Sequence, residues 1–260
     1  MAEQSRPHRF VLTAAEFDVV WEQLGLGTTP VALWVASPGR STDERIRGVT
    51  AVLSALRGRG LAGARGLAPG LVHLLTLLAR PERQLEVRAR FGSPLRAVTA
   101  ENDDGGVVAV HSGGSVTIAA AGPPAHAAVS VLPPAPPGPG PATGIPTAEL
   151  ARLLGADGGT RPGRDVTPTG PVTRLESVLR GPARYAQVCA VRFDRWGNPD
   201  RPPGHVTVVD TARGRYRLTR DTEPAAGPEW VTLAPVSARA LRALLDGLFG
   251  SQSRSECCIS

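Results

Sequence analysis

Residues 83–121 carry one pattern four times over, and few folds accommodate it. Leu85, Val87, Ala89 and Phe91 alternate with Glu86, Arg88 and Arg90, the period-two signature of a strand with one buried and one wet face. Leu95, Ala97 and Thr99 continue after Ser93-Pro94, and Asn102-Asp103-Asp104-Gly105-Gly106 supplies turn residues. Val108 and Val110, then Gly113-Gly114, then Val116, Ile118 and Ala120 complete the set. Four short strands joined by tight turns form an antiparallel meander, whose dry face needs an apolar cover.

The same grammar returns near the C-terminus. Tyr185, Gln187, Cys189 and Val191 form one strand and Val206 to Asp210 a second; Thr211-Ala212-Arg213-Gly214 turns into Arg215 to Thr219, and Trp230 to Leu233 closes the set. Each meander precedes an apolar segment, Ala125–Leu132 and Ala238–Phe249. We read a degenerate duplication, four strands and a helix twice over; two unrelated meanders are the competing reading.

Around the meanders the helix signals are local. Thr13 and Glu16 form a capping box after the short strand Phe10-Val11-Leu12, and Leu12 can staple to Phe17. Phe17, Val20, Trp21 and Leu24 share one helical stripe that Gly25 ends. Pro30 to Val35 reads as an extended edge or connecting strand. Ser41 and Glu44 make a second capping box, ahead of Ile46, Val49, Leu53 and Leu56. Pro69 opens a third helix with Leu71, Leu74, Leu75 and Leu78 inward, and Pro81 forbids its continuation. These three helices can cover the first meander.

Pro133 to Pro141 favours extended polyproline geometry and reads as a plain spacer between halves, although such runs also serve as SH3-type ligands. Thr147 caps a short helix bearing Leu150, Leu153 and Leu154, residues 157–169 are polar and Gly/Pro-rich, and Pro171 starts a helix with Val172, Leu175, Val178 and Leu179 apolar. Phe193 to Pro203 is a long exposed excursion. Ser237 caps the last helix, striped by Leu241, Leu244, Leu245 and Leu248. The expected organisation is therefore an N-terminal half, 1–132; a Pro/Gly-rich connector, 133–146; a C-terminal half, 147–250; and a disordered tail, 251–260.

Composition narrows the function classes. With 42% hydrophobic and 20% charged residues, the chain has the makeup of a soluble globular protein. A net charge of +6 invites a nucleic-acid reading. Yet the basic residues are scattered arginines without a single lysine, and aromatics make up only 4%, too few for stacking platforms. Residues 1–9 are polar with no apolar stretch behind them, and Leu71 to Leu78 is too short to span a bilayer, so the expectation is a cytoplasmic protein.

A search for chemistry finds no nucleophile elbow, phosphate loop, dinucleotide fingerprint or zincin helix. His8, His73, His111, His126 and His205 lack partners at ligand spacing, and no cofactor or metal is expected. Adjacent His111 and Ser112 would point to opposite faces of a strand. Asn102-Asp103-Asp104-Gly105 lacks the ligand alternation of a calcium loop. Cys189 alternates as a core residue does, and Cys257-Cys258-Ile259-Ser260 matches a prenylation box only formally. The empty search shifts weight from enzyme to binding module.

Residues spread over 10–249 resemble the EspG family of actinobacterial ESX (type VII) secretion systems. They are the Leu12–Leu26 strand-to-helix unit with Trp21, Leu56-Arg57-Gly58-Arg59-Gly60-Leu61, and Leu78-Ala79-Arg80-Pro81-Glu82; they are also Asp210-Thr211-Ala212-Arg213-Gly214-Arg215 and Val231-Thr232-Leu233-Ala234-Pro235. The resemblance implies an α+β fold with two pseudo-symmetric halves, a central antiparallel sheet and flanking helical bundles. It implies a cytosolic, non-enzymatic chaperone that covers the apolar helical tip of a secreted PE/PPE-like or WXG-type partner. In the family, the loop after an early central strand and the C-terminal helical bundle make that contact. Here those positions are the acidic, mobile Glu101–Gly106 loop with Glu101, Asn102, Asp103 and Asp104, and the helices carrying Leu175, Leu179, Leu241 and Leu245, with Trp196 on the exposed excursion. A small-ligand-binding protein or enzyme on the same scaffold is the rival, and it would show a deep polar pocket where a chaperone shows a broad apolar groove.

Overall fold

The computed structural model describes residues 9–37, 39, 41–154, 170, 178, 184–221 and 229–250. The polar stretch 157–169, the helix expected behind Pro171 with Leu175 and Leu179, and the tail lie outside them.

Both meanders form, and they join into one antiparallel sheet of eleven strands. The first is β4 (Arg83–Phe91), β5 (Ser93–Asn102), β6 (Gly105–Ser112) and β7 (Ser115–Ala121), with β1 (Arg9–Thr13) against its outer edge. The second is β9 (Arg184–Phe193), β11 (Val206–Thr211), β12 (Gly214–Asp221) and β13 (Trp230–Pro235), with β8 (Thr143–Pro146) outermost. The strand order is β1-β7-β6-β5-β4-β9-β11-β12-β13-β8. Antiparallel pairing of β4 with β9 fuses the halves, Val87 standing opposite Val188. Among the described residues each half thus runs edge strand, helical segment, meander, helix, in the same order about that seam.

The helices divide between two faces. On the front face, α1 (Ala14–Gln23), α2 (Thr42–Gly58) and α3 (Pro69–Ala79) cover β5, β6 and β7, burying Leu12, Phe17, Leu71 and Leu75 with Val98 and Ile118. At the other end of this face, α5 (Thr147–Leu154) brings Leu150 over Ile145, Tyr216, Val231 and Leu233. On the back face, α4 (Pro124–Val131) and α6 (Ala238–Gly247) pack side by side beneath the seam. They meet Leu85, Val87, Val188 and Val208. Each fully buried leucine contributes about 1.5–3 kcal/mol relative to exposure.

The caps follow the sequence. Thr13 and Glu16 satisfy each other's backbone N–H groups at 2.7 and 3.1 Å, and Leu12 and Phe17 are both buried beside them. Ser41 and Ser237 accept from Glu44 and Ala240 N–H, each at 3.2 Å. Thr147 differs from expectation. It is the first residue of α5, its N–H donates to Glu229 O at 2.7 Å, and its hydroxyl is buried without a hydrogen-bond partner.

Three other expectations change. Pro30–Val35 is not a strand: Val31–Leu33 forms a short 3-10 turn closed by Leu33 N–H to Pro30 O at 2.8 Å. It buries the consecutive residues Ala32 and Leu33, which a strand would point to opposite faces. The Pro-rich run is not a free spacer. Pro136 O accepts from Arg215 N–H at 2.7 Å and Gly138 N–H donates to Arg215 O at 2.9 Å, clasping the run to β12. Gly138 is required there, since a Cβ would stand 2.1 Å from the Tyr216 ring. The acidic segment 101–106 is not a loop either. Asn102 pairs with Gly105, and Asn102 Oδ1 accepts from Asp104 N–H at 2.9 Å across a tight hairpin turn. Three short elements went unforeseen: the hairpin β2 (Ala62–Gly63)/β3 (Gly66–Leu67), the strand β8, which takes the last four residues of the expected connector 133–146, and β10 (Pro199–Asp200), which pairs with β9.

Candidate partner-binding surface

Between its two helical layers the front face keeps exposed side chains at the seam. One register row crosses eight strands as Val116, His111, Arg96, Arg88, Gln187, Thr207, Leu218 and Leu233. Its apolar ends lie under α1–α3 and α5, and its middle is polar. Arg88, Arg90, Tyr185 and Gln187 are exposed, and with Thr207 they line a depression of about 430 Å³. The broad apolar groove expected from the resemblance is therefore replaced, at the seam, by a cationic floor.

Neighbouring groups on this face are tied. Arg96 Nη2 donates to His111 Nδ1 at 2.6 Å. Burial, aided by the Arg96 charge, holds the imidazole below its ordinary pKa, which keeps it a neutral acceptor. One register step along, Glu86 is buried and receives Gln84 Nε2 at 3.1 Å and both Arg201 nitrogens at 3.1 and 3.3 Å. Arg201 comes from the excursion after β10, so this ion pair draws the excursion across the front face. Cys189 stands opposite Glu86; burial, then the Glu86 charge, push its thiol pKa up. Such a thiol is a poor nucleophile. Among the described residues no group of three His, Cys, Asp or Glu is placed to hold a metal ion, and no helix is long and apolar enough to cross a membrane.

A second region gathers at one end of the sheet, where the ends of β5, β4 and β9 adjoin. Glu82 N–H donates to Glu101 O and Phe193 N–H to Glu82 O, both at 2.9 Å. Glu101 lies at the ladder end in an ion pair with Arg83, whose guanidinium also sits over the Phe249 ring at 5.6 Å. Asn102 Nδ2 donates to Arg80 O at 3.1 Å. Asp103 and Asp104 form the exposed turn. Trp196 projects from the turn after β9, 74% exposed, with Arg195 stacked over its ring at 4.7 Å. Asp194 shapes that turn by accepting from Trp196 N–H at 2.8 Å and Asn198 N–H at 2.9 Å.

The structure thus brings Glu101, Asn102, Asp103, Asp104 and Trp196 to one end of the sheet. Leu241 and Leu245 are 0% exposed in the back-face core, against α4 and the seam strands, and are no part of a surface here. Leu175 and Leu179 lie outside the described residues. Sequence reasoning missed Arg88, Arg90, Arg96, Tyr185 and Gln187 as one cluster. The available signal was the wet face of β4, where arginines occupy two successive outward positions.

The family model described as the EspG family matches residues 13–247. Among solved structures, this fold is similar to the Mycobacterium tuberculosis type VII secretion system chaperone EspG5, solved in complex with a PE25-PPE41 dimer. The TM-score is 0.68 at 13% identity, covering 95% of this chain and 98% of that one. No curated protein sequence matches the chain.

Proposed function

Since this chain belongs to the EspG family, we propose that it is a non-enzymatic cytosolic chaperone. It binds a secreted helical protein of PE/PPE or related type and delivers it to a type VII secretion system. The observation that carries the reading is the family match over 13–247, on a fold that covers nearly all of EspG5. EspG5 was solved holding a PE25-PPE41 dimer, and a homologous task suits a sheet whose exposed end carries Trp196 beside an acidic turn. A partner with an apolar tip would aggregate before export, and covering the tip prevents that. The acidic turn Glu101–Asp104 and Trp196 form the contact in this proposal. In it the two halves are 1–132 and 143–250, joined by 133–142, because β8 (Thr143–Pro146) is the edge strand of the second half.

The test is capture from the native host with the tagged full-length chain, followed by mass spectrometry and a comparison of exported proteins with and without the gene. A captured PE/PPE-like or WXG-type protein whose export is lost in the deletion strain supports the function. Unchanged export of every such protein refutes it.

A further inference from the structure

Arg88 and Arg90 are successive outward residues of β4, and Arg96 stands directly opposite Arg88 on β5. Residues two apart on a strand are about 6.8 Å apart, and directly opposed ones about 4.5–5.5 Å. The three backbone positions form a compact triangle, and the Arg96 guanidinium is held on the His111 side by its 2.6 Å bond to Nδ1. Like charges directly opposite each other in a sheet destabilise it. Three other arginines on the strands are relieved, Arg83 by Glu101, Arg192 by Asp200 and Arg215 by Asp210. Among the described residues, no carboxylate pairs with Arg88, Arg90 or Arg96. The nearest acid on this face, Glu86, is committed to Gln84 and Arg201. The flanks are uncharged: Tyr185, 41% exposed, Gln187 and Thr207. A fold that keeps an unneutralised cation triangle at its seam accepts a stability cost that an incoming anion would remove.

We propose that this triangle is an acceptor for the acidic face of a partner α-helix, one presenting two carboxylates a single turn apart. Carboxylates at i and i+4 on a helix lie about 6 Å apart, matching the Arg88–Arg90 interval, and Arg96 neutralises the pair from the adjacent strand. Guanidinium forks bind carboxylates in bidentate geometry. A nucleic-acid strand is the less suited occupant, because Tyr185 is the lone aromatic among the lining residues and continuous strands need a series of stacking rings. The inference rests on the chaperone reading for the partner's identity, and its site is distinct from the acidic end of the sheet.

The experiment is an NMR titration of the full-length chain, observing arginine side-chain Nε–H signals. The probes are an alanine-based helical peptide with Glu at i, i+4 and i+8 on one face, the same peptide with Gln in their place, and a single-stranded dT oligonucleotide. The Glu peptide is expected to shift Arg88, Arg90 and Arg96, with an affinity at least tenfold above that of the Gln peptide and falling as salt is raised. The double variant Arg88→Glu/Arg90→Glu is expected to abolish the shifts, while Arg88→Gln/Arg90→Gln keeps or raises the thermal midpoint. Equal responses to Glu and Gln peptides overturn the proposal, as do shifts confined to other arginines or tighter binding of the oligonucleotide at the same three. A destabilised Gln variant overturns the argument from repulsion. Successful capture of a secretion substrate together with a failed titration would remove this inference and leave the chaperone reading standing.

Discussion

Arg215 grips Asp210 through two parallel hydrogen bonds, Nε to Oδ1 at 2.6 Å and Nη2 to Oδ2 at 2.7 Å, with both side chains buried. The same Nη2 donates to Pro133 O at 2.6 Å, where the connector leaves α4. The ion pair therefore fixes the β11–β12 hairpin to the chain that links the halves. Removing either partner strands a buried charge, which costs about 3–5 kcal/mol. Asp210→Ala and Arg215→Ala should each lower stability by that order in urea unfolding. The double variant should cost clearly less than the sum of the two; additive losses would show that the pair is not coupled.

The connector's fit supplies a second prediction. A methyl at position 138 would enter the Tyr216 ring, and overpacking of this kind costs about 1–3 kcal/mol. Gly138→Ala should lower the thermal midpoint, whereas Gly92→Ala, where Gly92 has a φ of 92° and a Cβ would meet no atom within 4 Å, should lower it through backbone strain alone. Addition of Tyr216→Leu should recover part of the Gly138→Ala loss and none of the Gly92→Ala loss, as read by thermal unfolding of all four variants.

His111 gives a pH dependence of defined sign. Burial first, and then the Arg96 charge, depress its pKa in the fold. The unfolded chain, with an imidazole pKa of about 6.5, takes up the proton first as pH falls. Stability from this group is complete above the unfolded value and declines below it, levelling off once the folded pKa is passed. Urea midpoints measured from pH 7.5 down to pH 5 should fall less steeply in His111→Gln than in the parent chain. Identical slopes would mean that the imidazole carries no such linkage.

Cys189 offers a chemical readout of the buried carboxylate beside it. The Glu86 charge is the second cause, after burial, of its raised thiol pKa. In a Cys257→Ser/Cys258→Ser background, Glu86→Gln should speed modification of Cys189 by iodoacetamide at pH 8 severalfold. A variant with an unchanged pH–rate profile would show that the carboxylate does not reach the thiol.

How far the sequence discloses this fold can be traced to individual residues. The alternation of Leu85, Val87 and Ala89, the Thr13–Glu16 box and the Ser237 cap are local signals, and each becomes the element it implies. Pro30–Val35 misleads because an apolar run alone does not distinguish a strand from a short turn that buries Ala32 and Leu33 together. The anchoring of Pro133–Pro141 depends on a backbone partner at Arg215, far away in sequence. Proline content reveals that the run is extended but not what it lies against.

The surface is less legible for the same reason. Arg88, Arg96 and Gln187 become neighbours only through the β5–β4–β9 register, which joins the two halves. Leu241 and Leu245 carry the periodic stripe of a packed helix, and the structure spends them on the core. Trp196 needed only an exposed Pro/Gly-bordered excursion to be found, and it stands on the surface.

The most direct measurement of the central claim is solubility on co-expression. Each PE/PPE-like and WXG-type protein of the native host would be expressed alone and then together with this chain, and the soluble fraction resolved by size-exclusion chromatography. The account requires at least one partner that aggregates alone and elutes as a stable complex with the chain. If every candidate behaves the same with and without it, the chaperone reading is contradicted.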